Sequence, residues 1–275
     1  MAVAANQSAF SLGRLAAGNA AALDQLRAAP MDAQMQPADE RPLEALLADA
    51  RRHLTGYQNA AWAQRFEKRV RALQAAESAL PGGDASLPFT RNAARSLLKL
   101  MSYKDEYEVA RLYTDGAFLQ KLKDQFEGDL KLEFHMAPPL LSRPVHGQAP
   151  AKIRLGAWML PAMKWLAHGK RLRGTAFDLF GYTQERRLER ALIGQFEQRL
   201  GELAAGLSSG NQQLAAQIAA LPLTIRGFGH VKLANLALAA EREAELMHRF
   251  SPQRYPRPGK SAKAGQFRGI AVVSH

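Results

Sequence analysis

Apolar residues recur at every third or fourth position through most of this chain, most plainly at Leu188, Leu192, Phe196, Leu200 and Leu203. That spacing matches the turn of an α-helix, which lines up residues three and four apart on one face. A strand needs a period of two instead. A chain patterned this way is restricted to a mainly α architecture, a multi-helix globular domain whose apolar stripes bury against one another. The same spacing runs through Leu43, Leu46, Leu47 and Leu54, through Trp62, Phe66, Val70 and Leu73, and again at Phe118, Leu122 and Phe126. It returns at Leu214, Ile218 and Leu221, with Thr183 and Asn211 placed as N-caps and Pro222 as a stop. Trp158 to His168 reads as a short helix with Pro161 in its first turn.

These patterns divide the chain. Phe10, Gly13, Arg14 and Ala17 predict a helix over 1–27, and the three prolines of 28–42 predict a linker. A helical domain follows over 43–250. From Ser251 to His275 the prolines, glycines and basic residues predict a disordered basic tail. One segment departs from the helical period. Leu130 to Met136, LKLEFHM, alternates strictly and reads as a strand, with Lys152 to Leu155, KIRL, as its partner. The expectation is a small β-hairpin of 130–136 with 152–155, joined by a loop containing Pro138, Pro139, Pro144, Gly147 and Pro150 and covered by helices, because a lone ribbon is marginal.

Composition excludes more than it assigns. The chain of 275 residues has no cysteine, which removes thiolate nucleophiles, disulfides and cysteine-ligated iron–sulfur clusters from it. Its mean hydropathy is −0.27, and its longest apolar run, near Trp158, is interrupted by Lys164. That run is far short of the roughly 20 residues a membrane-spanning helix needs, so no membrane partner and a cytoplasmic location are expected. The net charge of +12 is unevenly placed: residues 131–190 hold eleven Lys/Arg against four Asp/Glu, and 251–275 hold five against none. A basic middle and tail suit acidic proteins, anionic ligands or nucleic acid, or are simply a solvated surface.

Candidate chemistry is thin. No histidine pair has metal-ligand spacing, so no metal site is expected, and His135 falls on the polar face of the strand. The densest polar stretch is Lys99 to Gly116, KLMSYKDEYEVARLYTDG, where Leu100, Tyr103, Tyr107 and Ala110 predict one continuous helical face. Asp105 and Glu108 within it have the spacing of an acid–base pair. Neighbouring Lys104 and Arg111 favour ordinary ion pairs instead. Arg226 to His230, RGFGH, reads as a tight turn before a helix. Lys170, Arg171 and Arg173 cluster three bases in four residues and form the candidate docking surface for an anion or acidic partner. No catalytic, cofactor-binding or metal-binding residue is assigned. Aromatics do not interleave with the bases as a nucleic-acid stacking platform requires.

Several long stretches resemble one family in order along the chain. LLKLMSYKDEYEVARLYTDG, QFEGDLKLEFHMAPPLL, LRGTAFDLFGYTQERRLERALI and LPLTIRGFGHVKLANLALAAEREAEL are similar to the C-terminal region of the fused indolepyruvate ferredoxin oxidoreductases. AANQSAFSLGRLAA resembles the end of that family's gamma-type oxidoreductase domain, so the resemblance covers roughly residues 1–250; Val145–Lys152 departs from it. The resemblance implies oxidative decarboxylation of an aryl 2-oxoacid to the aryl-acetyl-CoA with ferredoxin reduction. It implies thiamine diphosphate, Mg and 4Fe–4S clusters, all in other domains, because PGGD at Pro81 does not match the diphosphate signature and the cluster cysteines are absent. The chain then reads as an accessory or structural part, a severed or split tail inactive by itself, whose partners are the remaining oxidoreductase domains or subunits and an acidic ferredoxin. The alternative is a free-standing basic helical adaptor or nucleic-acid-binding protein. A third reading is an inert product that folds poorly without its neighbours.

Overall fold

The structure, a computed structural model, describes residues 41–126, 128, 132–136, 153–227 and 229–257, with short stretches inside 10–18 and 266–271. Most of the helix expected over 1–27, nearly all of the linker and the hairpin loop lie outside the described residues. Phe10, Ser11, Gly13, Arg14, Ala17 and Gly18 are helical.

The helical periods become α1 (Leu43–Tyr57), α2 (Ala60–Ser78), α3 (Pro88–Met101), α4 (Glu106–Thr114), α5 (Ala117–Gln125), α6 (Met159–His168), α7 (Gln184–Ala205), α8 (Gln212–Ala220) and α9 (Gly229–Phe250). Phe66, Val70, Phe89, Leu97, Leu200 and Leu203 are fully buried where α2, α3 and α7 meet, and α1, α8 and α9 complete this main core. Burial of such side chains contributes about 1.5–3 kcal/mol each and sets the packing of the helices. Thr183 caps α7 by accepting from Arg186 N at 3.3 Å. Asn211 stands at the N-cap of α8 but turns its Oδ1 back to Ser208 N, 2.8 Å away.

A second, smaller core lies apart from the first. It joins Ala110 of α4, Phe134 of the hairpin and Met163 of α6, with Tyr113, Met136, Leu155, Met159 and Leu166 around them. The hairpin is β1 (Phe134–Met136) with β2 (Ile153–Leu155), antiparallel, pairing Phe134 with Leu155, His135 with Arg154 and Met136 with Ile153. Buried Phe134 and exposed His135 reproduce the alternation of the sequence, and α4 and α6 supply the cover.

Two expectations are corrected. The single helical face through Leu100 and Tyr107 is broken, because α3 stops at Met101 and α4 starts at Glu106. The disorder expected from Ser251 does not begin there. Ser251 N donates to Met247 O, Tyr255 N to Ser251 O, and the Tyr255 hydroxyl to Glu202 Oε2 at 2.8 Å, which folds 251–257 back onto α7 and α9. Two-residue strands at 266–267 and 270–271 pair further on.

Lys99 shows how α3 holds its neighbours. Its ammonium donates to the carbonyls of Pro222, Leu223 and Ile225 at 2.8, 3.1 and 2.7 Å, satisfying the short 3-10 turn Leu221–Thr224 that follows α8. Ser96 does the same for Ala219 O at 2.6 Å. Lys99→Met orphans those carbonyls and is expected to cost about 1–3 kcal/mol in urea unfolding. Burial first, then Arg226 and Lys232, lowers the Lys99 pKa from 10.5 to about 8. Between those values the unfolded chain holds the proton and the folded chain sheds it, so this group's contribution to stability rises with pH. That rise is absent from Lys99→Met when urea midpoints are compared across the window.

Candidate docking surface

The polar stretch Lys99 to Gly116 is an elbow between the two cores. Asp105 ends the break after α3 by capping α4: its Oδ1 accepts from Glu108 N at 2.8 Å. The same carboxylate is gripped by Arg173, whose Nε and Nη2 reach Oδ2 and Oδ1 at 2.5 and 2.7 Å. Arg173 Nη1 donates to Tyr57 O, the last residue of α1, at 2.6 Å, and the guanidinium lies 3.7 Å from the Tyr57 ring centre. The Tyr57 hydroxyl donates to Tyr103 O at 3.1 Å, and burial drives its pKa upward. Burial, followed by the Asp178 carboxylate, pushes the Tyr107 phenol up to about 12. Three segments far apart in sequence therefore meet on one buried guanidinium.

Asp178 braces the adjoining loop. Its carboxylate accepts from Gly174 N and Gly181 N at 2.9 and 3.0 Å, and Arg190 stands 3.8 Å away. Gly169 leaves the end of α6 so close to Tyr107 that a Cβ there would lie 2.6 Å from the ring. Phe180 meets the same ring edge-on at 5.3 Å. The end of α6 and the loop after it thus share Tyr107 as a footing.

The expected docking triad is not a surface. Arg173 is buried in the Asp105 pair, so it positions the elbow and meets no solvent partner. Lys170 is half-buried and donates to Gly56 O at 2.6 Å, its pKa lowered by burial and then by Arg111 and Arg173. Arg171 alone is exposed. Arg186 pairs with Glu106 at 3.5 Å and Arg190 approaches Asp178, so several bases of 131–190, Arg173 among them, are matched inside the fold. The Asp105–Glu108 pair is likewise structural, since Glu108 takes a bidentate grip from Arg111 at 2.8 and 2.7 Å. His135 is exposed opposite Arg154. At RGFGH, Gly227 and Gly229 take left-handed φ of 89° and 54°, which turns the chain into α9; Phe228 and the His230 side chain lie outside the description. Among the described residues no group of three histidines or carboxylates could hold a metal ion. No described helix is long and apolar enough to cross a membrane.

The small lobe, meaning α6, the hairpin and the loop to Tyr182 around the smaller core, turns four aromatic side chains and a leucine outward. Trp158, Trp165, Phe177, Leu179 and Tyr182 are 63%, 82%, 75%, 72% and 56% exposed. Sequence reasoning passed over them, although a signal was present: Trp158, Pro161 and Trp165 share the helical spacing of one face, and Met163 takes the other. Large apolar side chains left this exposed, on α6 and on the loop that follows it, mark contact surfaces.

Residues 43–245 match a protein-family model described as a family of unknown function, DUF6537. No curated protein matches, and no solved structure matches.

Proposed function

The chain belongs to the DUF6537 family, and on that premise we propose that it is a helical accessory domain that docks the catalytic domains of an aryl 2-oxoacid:ferredoxin oxidoreductase. The observation that carries a docking role is the set of outward aromatics on a lobe whose polar groups are closed upon one another. The four resembling stretches supply the choice of oxidoreductase. One of them, Lys99–Gly116, is the elbow that sets the small lobe on the main core. These residues offer no thiolate for a cluster, so a cysteine-held cluster would sit on the catalytic domains that this one docks. The nucleic-acid reading loses support because Arg173, Arg186, Arg190 and Lys170 already have partners within the fold.

The test uses the purified full chain and a separately produced companion carrying the thiamine and iron–sulfur domains. Sedimentation should show a stable complex, and indolepyruvate-dependent ferredoxin reduction by the companion should rise when the chain is added. The chain alone should give no turnover. Turnover without the companion, or neither complex nor rate change with it, would overturn the reading.

A further inference from the structure

We infer that the partner surface fitted by the small lobe is a protein hollow lined with apolar groups and rimmed by carboxylates, entered by Trp158, Trp165, Phe177 and Leu179. The inference rests on the docking role proposed above and adds the face and the chemistry of what covers it.

The face is built from two supports. Trp158 at the N-cap of α6 and Pro161 and Trp165 within it follow one another at helical spacing. The opposite side of α6 is occupied by Met163, Met159, Leu160 and Leu166 in the small core, which leaves the tryptophans no inward position. In the loop after α6, Phe177 and Leu179 flank buried Asp178, whose two backbone hydrogen bonds pull the chain inward between them. The Tyr182 hydroxyl donates to Ala176 O at 2.7 Å and the Thr175 hydroxyl to Leu172 O at 2.7 Å, so the loop is closed at both ends. Rings held out by a braced loop lose little freedom on binding. A shaped protein partner gains from such bracing, whereas a fluid bilayer has no use for fixed ring positions.

Charge chooses the chemistry of the rim. From Ile153 to Thr183 the only acid is Asp178, and it is buried. Lys164, next to Trp165 in the chain, and Arg171, in the turn after α6, are both exposed. The exposed charge that this segment itself presents is therefore all positive, which complements a hollow edged by Asp or Glu. This positive charge is not the Lys170–Arg171–Arg173 run expected from sequence, since its strongest member is inside the elbow.

The experiment measures affinity of the full chain for the companion oxidoreductase polypeptide at low and high salt. Its variants are Trp165→Ser with Phe177→Ser, Lys164→Glu with Arg171→Glu, and Leu238→Ser on the outward side of α9 as a control. Each is first shown by circular dichroism to melt like the parent. The aromatic variant should bind about tenfold or more weakly, and Leu238→Ser should bind normally. The charge reversal should weaken binding at low salt and flatten its salt dependence. Binding lost in the aromatic variant but untouched by charge reversal overturns the carboxylate rim and leaves the docking role standing. Binding untouched by the aromatic variant overturns the face. No binding by the parent chain removes the docking role itself. The chain alone is also tested by sedimentation and with phosphatidylserine vesicles. Self-association or vesicle binding that Trp165→Ser and Phe177→Ser abolish assigns the face to a second copy or a lipid surface and overturns the inference.

Discussion

Arg173→Ala is expected to lower the stability of the chain by about 3–5 kcal/mol, because it leaves a buried carboxylate without its counter-charge. Three contacts go together. Asp105 loses a bidentate partner, Tyr57 O loses the donor at 2.6 Å, and the Tyr57 ring loses a cation at 3.7 Å. A fall in Tm of roughly 10 °C follows for a domain of this size. Arg173→Lys restores the charge without the fork that reaches both carboxylate oxygens and the carbonyl, so it should recover only part of the loss. The informative comparison is a double-mutant cycle. Arg173→Met with Asp105→Asn removes both charges, and the pair should be less destabilising than the sum of the singles. Asp105→Asn keeps an oxygen for Glu108 N, so the cap of α4 survives in that background. Additive losses by urea titration would show that Arg173 and Asp105 do not act as a unit. The small lobe meets the main core at this elbow, so its hydrogen exchange should rise before that of the main core in Arg173→Ala.

The elbow also shows what the sequence carried and what it hid. The helical periods of α1, α2, α7 and α8 were readable because each buries one stripe against the core, and the alternation at Phe134 named the hairpin with its partner. The break between Met101 and Glu106 was hidden because no proline or glycine marks it and Leu100, Tyr103 and Tyr107 keep helical spacing across it. A local signal did exist. Asp105 stands three residues before Glu108, which is the spacing of a helix-start capping pair. The role of Arg173 had no local signal. It sits among Lys170 and Arg171, and only folding brings it to Asp105, 68 residues away. Charge counted along a chain cannot distinguish a base facing solvent from one matched at such a distance, so the basic middle looked like a surface. The exposed tryptophans were missed for the opposite reason: in sequence a tryptophan at helical spacing reads as core, and only the position of Met163 shows which side of α6 was already taken.

Glu77→Ala is expected to be comparably damaging, at about 3 kcal/mol or more, because it removes the acceptor for several buried donors at once. Helix α3 begins with a problem. Pro88 at its first position has no N–H, and Leu87 before it takes a left-handed φ of 55° with no side chain able to cap. The next two N–H groups, of Phe89 and Thr90, are buried and need acceptors. Glu77 near the end of α2 supplies both, Oε1 accepting from Phe89 N at 3.0 Å and Oε2 from Thr90 N at 2.7 Å. Gln212 at the start of α8 donates to the same carboxylate at 2.7 Å, and its own oxygen accepts from Asp84 N at 2.8 Å. A carboxylate at a helix N-terminus is further favoured by the aligned peptide dipoles. Three helices therefore meet on one acid that is 2% exposed. Glu77→Gln preserves shape but places an NH₂ where an acceptor is required, so one of the two backbone donors is left facing a donor. Its loss should fall below that of alanine yet remain above 1 kcal/mol. Gln212→Leu alone should cost less than Glu77→Ala, because α3 keeps its cap while Asp84 N loses its acceptor. Urea midpoints ordered Glu77→Ala lowest, then Glu77→Gln, then Gln212→Leu, establish the carboxylate as the cap of α3. Equal midpoints for the parent and Glu77→Ala would mean that water serves those N–H groups as well as the acid does.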